Sequence, residues 1–245
     1  MARSLFELNP QVDRTAAARR FAHDRRVQVR DVLTQETARE IREILMRGTP
    51  WGVGWQAGLE AEPQHARAEQ LQGASAQALG REIAEATHKS AAHGDYAFRY
   101  ARYPMVQAYM EKWAEGSPHD LLIEYLNTPE TLDLVRDVTG MADLKKADAQ
   151  ATLFAPGHFL GRHIDSHVEE GWKVAYVLNF APDDWHPDWG GYLNFLDEDG
   201  DIVAGYRPRF NCLNMFAVPQ AHLVSFVPPF APTARFAITG WFRNQ

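Results

Sequence analysis

The stretch GRHIDSH, residues 161–167, places two histidines around an aspartate with one residue between neighbours. In a β-strand, residues i and i+2 point to the same side, with Cα atoms about 6.6 Å apart. His163 and Asp165 therefore share a face and lie close enough for both to bind one metal ion. On the same straight strand His167 would lie about 13 Å from His163, so a third ligand has to come from another part of the chain.

The sequence around this motif has the character of β-structure. From about residue 147 onwards, short segments rich in aromatic and β-branched residues are divided by Gly, Pro, Asn and Asp. There are seven such segments: AQATLFAPG, GRHIDSH, KVAYVLNF, GGYLNFLD, NCLNMFAVP, AHLVSFV and RFAITGWFR. Seven short strands at this spacing predict a β-sandwich or barrel.

The first half of the chain reads mainly as helix. Capping residues and apolar spacing favour helices in DRTAAARRFAHDRR, TQETAREIREILMRG and TPETLDLVRDVTG, and residues 61–94 are also predicted to be helical. No linker separates the two halves. We therefore predict a single domain, residues 1–245, in which residues 1–146 are mainly helical support with an entry strand and residues 147–245 form the barrel core.

Composition narrows the class of protein. A net charge of −7 over 245 residues argues against general nucleic-acid binding, because no large basic face is indicated. A single cysteine, Cys212, excludes an intrachain disulfide and a cysteine-rich zinc module. No run of apolar residues is long enough for a membrane span, and no signal peptide is evident. We expect a cytoplasmic protein with neither DNA nor a membrane as its partner.

Two later residues complete a candidate site. His222 opens the apolar segment HLVSFV, and Arg235 is an arginine in the otherwise apolar ARFAITGWF, 13 residues later. Burying an arginine in such a strand is costly without an anionic partner. Alternation puts Arg235 on the same face as Thr239 and Trp241. An inward guanidinium there would be a clamp for a carboxylate.

Two histidines and one carboxylate, without a thiolate, form the facial triad of non-haem Fe(II) oxygenases, which leaves coordination positions open. Each feature alone is better explained by structure. An H-x-D pair is usually surface decoration, and a strand histidine is usually a hydrogen-bonded core residue. Their order within one glycine-punctuated β-region is what favours a metal site.

The C-terminal half also resembles the double-stranded β-helix of Fe(II)/2-oxoglutarate dioxygenases, specifically the prolyl 4-hydroxylase-like branch. The segments that carry the resemblance are APGHFLGRHID, VAYVLNFAPDDWHPDWGGYLNF, PRFNCLNMFAVPQAHLVSFV and ARFAITGWF. The GG-x-L element, the P-x-F-N strand and the closing GWF are most similar to the ribosomal prolyl hydroxylase subgroup. The implied fold is α+β, a jelly-roll or cupin-like barrel with supporting N-terminal helices.

The resemblance implies roles for four residues, each taken as catalytic. Fe(II) would be bound by His163, Asp165 and His222, and the distal carboxylate of 2-oxoglutarate would pair with Arg235. A carboxylate at Asp165 favours hydroxylation, because related halogenases have a small residue at that position.

The chain departs from the branch at one cosubstrate position. A tyrosine that supports the 2-oxoglutarate carboxylate commonly precedes the LN pair, but this chain has Val177 there. Tyr176 is one residue away and by alternation faces the other side unless the strand is bulged. Thr239, on the Arg235 face, is the other candidate for this cofactor-binding role.

The implied reaction consumes 2-oxoglutarate and O2, releases succinate and CO2, and hydroxylates a C–H bond, with ascorbate in a supporting role. The implied substrate is a prolyl residue of a protein or peptide, with ribosomal proteins among the candidates. Aromatic stripes are more often core than recognition surface. In this branch, however, a segment before the barrel covers the site, so we predict that Tyr96, Phe98 and Tyr100, together with Trp241, bind substrate.

Three alternatives remain open. The same chemistry could act on a small molecule or free amino acid, and the barrel could bind 2-oxoglutarate without turnover. A zinc hydrolase is disfavoured, because no carboxylate is obviously poised as a general base and Arg235 would have no role. The sequence does not indicate an oligomeric state.

Overall fold

The computed structural model describes residues 5–165 and 170–245, with six α-helices and thirteen β-strands in those ranges. The helices are α1 (Arg14–Asp24), α2 (Gln35–Glu43), α3 (Ala74–Ala92), α4 (Met105–Met110), α5 (Pro118–Leu126) and α6 (Pro129–Thr139). The strands are β1 (Arg26–Arg30), β2 (Gly52–Ala57), β3 (Gln64–Ala66), β4 (Ala97–Tyr103), β5 (Lys146–Ala147), β6 (Gln150–Phe154), β7 (Phe159–Ile164), β8 (Trp172–Phe180), β9 (Leu193–Leu196), β10 (Ile202–Tyr206), β11 (Phe210–Ala217), β12 (Ala221–Val224) and β13 (Arg235–Arg243). His167 lies outside the described residues.

The strands form one antiparallel sheet that folds over into a nearly closed barrel. Its order is β1-β11-β8-β13-β6-β4-β7-β12-β9-β10, with β2, β3 and β5 paired at the sides. Strand β4 pairs with β6 along one part of its length and with β7 along another, and so connects the two layers. This arrangement confirms the predicted α+β fold with a double-stranded β-helix.

Local sequence explains the helix boundaries. In α6, Pro129 takes the first turn, where its missing N–H is not needed, and Gly140 ends the helix in the left-handed conformation at φ 71°. In α2, Thr34 accepts a hydrogen bond from the Thr37 N–H. A π-turn at Ile44–Gly48 follows directly. Thr34 therefore caps α2 as predicted, whereas the Thr128 hydroxyl at the start of α6 donates to the carbonyl oxygen of Tyr125 instead of capping the helix.

The long strands β8 and β13 separate two apolar environments. One face of β13 carries Phe236, Ile238 and Phe242, which pack with helix residues in the largest buried cluster of the described chain. The opposite face carries Ala237, which packs inside the barrel with Val177 of β8. Period-two alternation therefore directs one set of side chains to the helices and the other to the barrel interior.

The first half contributes more strand than its sequence predicts. Strands β2, β3 and β4 all belong to the sheet, and residues 61–94 contain β3 and a 3-10 turn as well as α3. The helical prediction for residues 61–94 was wrong at β3, because pairing with β2 outweighs weak local helix propensity. No helix in the described ranges combines the length and the apolar character required for a membrane crossing.

Candidate active site

One cavity of about 580 Å³ opens between the two layers of the barrel. It has a histidine-rich end and an arginine end, and aromatic side chains lie along its wall. All residues predicted for the site line this cavity, namely Tyr96, Phe98, Tyr100, His163, Asp165, Tyr176, His222, Arg235, Thr239 and Trp241. The antiparallel barrel thus brings together residues that are up to 145 positions apart in sequence.

Neighbouring strands form the histidine-rich end. His163 on β7 is the register partner of His222 on β12, so the two imidazoles project from the same face, with ring centroids 4.1 Å apart. Asp165 follows the last residue of β7 and is buried. Its Oδ1 lies 3.6 Å from His163 Nε2, and its Oδ2 lies 3.7 Å from His222 Nε2.

The backbone orients both imidazoles in the same way. His163 Nδ1 lies 2.9 Å from the carbonyl oxygen of Gly161, and His222 Nδ1 lies 2.9 Å from that of Gln220. When each Nδ1–H donates to its carbonyl, each Nε2 presents a lone pair towards Asp165, as metal-binding histidines do. Burial and the neighbouring His163 lower the pKa of His222, which keeps its imidazole neutral and able to bind a metal.

The three side chains fit Fe(II) by their donor atoms and spacing. One ligand atom from each lies within 4.8 Å of the others, and no other such group of His, Cys, Asp or Glu occurs in residues 5–165 and 170–245. Two nitrogen donors and one carboxylate oxygen match the donor set of non-haem iron sites. The arrangement leaves the cavity side free for further ligands.

Arg235 forms the opposite end of the cavity. It is the first residue of β13 and is only 2% exposed. Its Nη1 donates to the carbonyl oxygen of Gly191, and its guanidinium lies 5.0 Å from the ring centroid of Phe154. Burial lowers the pKa of Arg235 to about 10, so the group is still a cation at neutral pH.

The hydrogen-bonding capacity of Arg235 is not used up by the protein. Its buried Nε has no hydrogen-bond partner among the described residues. A buried donor without a partner is costly, and a charged one more so. A carboxylate in the cavity would satisfy this donor, so the arginine end fits the distal carboxylate of 2-oxoglutarate.

The two candidates for supporting that carboxylate are placed differently. The hydroxyl of Tyr176 donates to the backbone oxygen of Asp148 at 2.8 Å, and its ring packs on Phe242 in the helix-covered core. These contacts engage the Tyr176 hydroxyl, although the residue also lines the cavity, so its role in cofactor binding stays a prediction. The strand has no bulge at this position, so alternation turns the hydroxyl away from the cavity. Thr239 lies on the cavity side, across from Val177 in the register.

The predicted aromatic residues form a continuous wall. Tyr96 lies 6.0 Å from Phe98, Phe98 lies 5.4 Å from Tyr100, and Tyr100 stacks on Phe154 at 5.0 Å between ring centroids. The ring of Tyr96 also lies 6.2 Å from that of His163. Burial raises the pKa of both tyrosines, which keeps their phenols protonated.

Sequence reasoning missed several residues of the site. Gln150 and Thr152 line the cavity from β6, on the face that also carries Phe154. The indole Nε1 of Trp241 donates to Asp165 Oδ2 at 3.0 Å. Strict alternation in QATLF would have indicated the β6 residues, whereas nothing in the sequence indicated the contact between Trp241 and Asp165.

Comparison with known families agrees with this geometry. Residues 149–243 match the model of the 2OG-Fe(II) oxygenase superfamily, a family of enzymes that use Fe(II) and 2-oxoglutarate. The match contains all three residues of the triad as well as Arg235. No curated protein sequence matches the chain.

Solved structures share the fold at low sequence identity. A prolyl-4-hydroxylase from Pseudomonas putida aligns with a TM-score of 0.57 and 16% identity, covering 98% of this chain and 95% of its own. A 2OG-Fe(II) oxygenase family oxidoreductase from Burkholderia pseudomallei gives 0.58 and 13%, covering 98% and 94%. The non-heme alpha ketoglutarate dependent epimerase SnoN from nogalamycin biosynthesis gives 0.52 and 12%, covering 93% and 80%. These likenesses describe the fold.

Proposed function

We propose that this chain is a 2OG-Fe(II) oxygenase that hydroxylates a prolyl residue of a protein or peptide, because residues 149–243 match the model of that superfamily. In this proposal His163, Asp165 and His222 bind Fe(II), and Arg235 binds the distal carboxylate of 2-oxoglutarate. Together with O2, the metal and the keto acid supply the oxidising chemistry, and 2-oxoglutarate leaves as succinate and CO2.

The observation that carries the proposal is the shape of the cavity. Its volume of about 580 Å³ exceeds the space that a five-carbon keto acid needs between the triad and Arg235. The remaining space runs along the aromatic wall to the cavity mouth, where Leu59 and Ile164 are exposed. A proline ring on a peptide is a compact apolar group that suits such a wall.

The chain's own residues have three tasks in this reaction. The backbone-oriented imidazoles hold the metal with little rearrangement, and Arg235 fixes the direction in which the keto acid enters. The buried residues Val177, Leu193 and Phe216 keep the inner end of the cavity apolar and exclude water. No side chain is required to act as a general base in this scheme.

A small molecule or free amino acid is the second candidate substrate. It is favoured by the overlap in fold with SnoN, whose described role is in nogalamycin biosynthesis. We also propose that the chain works as one domain, since one buried cluster joins residues of α1, α2, α5 and α6 to the barrel strands. A cytoplasmic location and a ribosomal target stay predictions.

The test has two stages. First, Fe(II) and then 2-oxoglutarate are added anaerobically, and the visible charge-transfer band of an iron-bound keto acid is sought. Second, succinate formation is measured with proline-containing peptides and with matched peptides in which alanine replaces proline. Proline-dependent stimulation, with one oxygen atom added to the peptide by mass spectrometry, is expected.

The other outcomes separate the alternatives. Stimulation by free amino acids alone would favour the small-molecule substrate. A band without succinate from any substrate would indicate a binding barrel. The absence of a band in a folded protein would mean that the triad is not an iron site.

A further inference from the structure

We propose that Trp241 is a positioning residue, which holds the carboxylate of Asp165 in place for the metal through its indole N–H. The inference rests on the proposed function, in which Asp165 is an iron ligand. The sequence predicts Trp241 as a substrate-binding residue, and its ring does line the cavity. Its hydrogen bond, however, points to the carboxylate, with Nε1 3.0 Å from Asp165 Oδ2.

Asp165 is in particular need of such support. His163 sits inside β7 and His222 inside β12, where paired strands fix their backbones. Asp165 comes one residue after the end of β7. Its carboxylate is buried beside two imidazoles and must be held in one orientation for one oxygen to face the metal. A hydrogen bond to the second oxygen supplies that restraint, and a charged acceptor makes it strong.

The indole is itself rigidly held. Its ring stacks on Trp172, with centroids 3.7 Å apart and planes 16° from parallel. The guanidinium of Arg243 in turn lies over the ring of Trp172. The backbone N–H of Trp241 donates to Asp148 Oδ1 at 2.7 Å, and Arg243 donates to Asp148 Oδ2. We call Asp148, Trp172, Trp241 and Arg243 the indole clamp.

The four members of the clamp are half-buried and pack against one another. A ring that only contacted substrate would not need an indole N–H directed at Asp165. Nor would it need Asp148, whose carboxylate accepts hydrogen bonds from both Trp241 and Arg243. Gly240, next to Trp241, approaches Asp148 so closely that an added Cβ would collide with its backbone oxygen. The end of β13 is therefore pressed against Asp148, which fixes the height of the indole relative to Asp165.

The decisive variant is Trp241→Phe, which keeps an aromatic ring in the stack but has no N–H. The dissociation constant of Co(II), measured anaerobically from its visible absorption, is expected to rise by about 10- to 100-fold. The charge-transfer band with Fe(II) and 2-oxoglutarate is expected to shift in wavelength. Trp241→His, whose ring retains an N–H donor, is expected to recover part of the affinity.

A matched control exists elsewhere in the chain. Trp113 Nε1 donates to Glu111 Oε2 at 2.6 Å, which is the same type of bond outside the cavity. Trp113→Phe should leave the Co(II) dissociation constant unchanged. Thermal unfolding of the metal-free proteins identifies any variant whose folding, rather than metal site, is affected.

The outcomes distinguish this inference from the function on which it rests. Asp165→Ala should abolish Co(II) binding, and if it does not, the proposed metal site is wrong. If Asp165→Ala abolishes binding but folded Trp241→Phe binds Co(II) like the wild type, only the positioning role is overturned. If Trp241→Phe raises the KM for substrate but leaves the metal affinity unchanged, Trp241 is a substrate-binding residue and not a positioning residue.

Discussion

The two ends of the cavity differ in how far the protein satisfies its own polar groups. At the histidine-rich end, which is the proposed metal end, both imidazoles are hydrogen-bonded to backbone carbonyls, and Asp165 accepts a hydrogen bond from Trp241. At the other end, Arg235 is buried with an unpartnered Nε and rests against the apolar ring of Phe154. The polar groups of the first end thus have their hydrogen-bond partners within the protein. The guanidinium at the second end gains its missing partner only when an anion binds.

This difference predicts opposite effects of substitution on stability. Removing a group from a satisfied network leaves its partners without hydrogen bonds. Removing a buried cation that has no acidic partner relieves a cost that the fold otherwise carries. If Arg235 binds 2-oxoglutarate as proposed, it is a residue that function requires but that stability alone would not select.

The largest expected effect comes from the metal end. His222→Ala removes one of the three proposed metal ligands and leaves the Gln220 carbonyl without its partner. Succinate formation should therefore fall at least about 1,000-fold, the range expected for loss of a central catalytic group. Fe(II)-dependent stabilisation against heat should vanish with it. His186→Ala, in the exposed loop before β9, is the matched control and should behave as wild type. Retention of Fe(II) binding by His222→Ala would refute the assignment of this ligand.

The arginine end should respond in the opposite sense. Arg235→Met keeps the length of the side chain but removes the charge, so the KM for 2-oxoglutarate should rise by about 100-fold, as for loss of a buried charge-assisted bond. Without cosubstrate, the variant should be as stable as the wild type or more stable by about 1 kcal/mol, because burial of the guanidinium no longer opposes folding. Chemical denaturation with and without 2-oxoglutarate measures both quantities. A loss of more than about 3 kcal/mol would mean that Arg235 is a structural residue.

The residues at both ends of the cavity could be predicted from the sequence. The spacing of His163 and Asp165, together with the later His222 and Arg235, is enough to indicate the site, because strand alternation is a strict geometric rule. The resemblance supplied the fold and the pairing of these residues with their ligands. The barrel strands after residue 147 were predicted for the same reason, with β5 and β10 missed.

The rest depended on contacts that sequence does not encode locally. Strand β2 pairs with β4, and β4 with β6, through residues that are 40 or more positions apart, and their own residues give only a weak strand signal. Alternation in β8 was evident from the sequence, but the hydrogen bond from the Tyr176 hydroxyl to the backbone oxygen of Asp148 was not. The bond between Trp241 and Asp165 links residues 76 positions apart, and no local pattern indicates it.

A smaller effect, on the pH dependence of stability, is expected at the turn between β6 and β7. His158 lies between β6, which carries Phe154, and β7, which carries His163, and its Nδ1 accepts the Ala155 N–H at 3.1 Å. Burial lowers the pKa of His158 to about 4, below the value of about 6.5 for an unfolded histidine. The unfolded chain therefore binds more protons between these two values, so stability is complete above about pH 6.5 and decreases as the pH falls towards 4.

At pH 5 the loss from His158 should be about 2 kcal/mol, which follows from 1.36 kcal/mol per pH unit. His158→Asn retains an acceptor for the Ala155 N–H but does not titrate. The difference in unfolding free energy between pH 7 and pH 5 should therefore be smaller by about that amount in the variant than in wild type. Equal pH dependence in the two proteins would show that His158 is charged in the folded state.

The smallest effect is expected at the cavity mouth, where an apolar side chain is exposed until a ligand covers it. Leu59 lines the cavity but is 73% exposed, so its side chain contributes little to folding and becomes buried only if a ligand reaches it. Leu59→Ala should raise the KM of a peptide substrate by about 15-fold, the value of roughly two buried methylene groups, with kcat and stability unchanged. Met110, 75% exposed on α4, is absent from the cavity lining and provides the control variant Met110→Ala. A substrate small enough to sit wholly within the cavity would leave both variants at the wild-type KM, so this measurement also distinguishes a peptide from a small molecule.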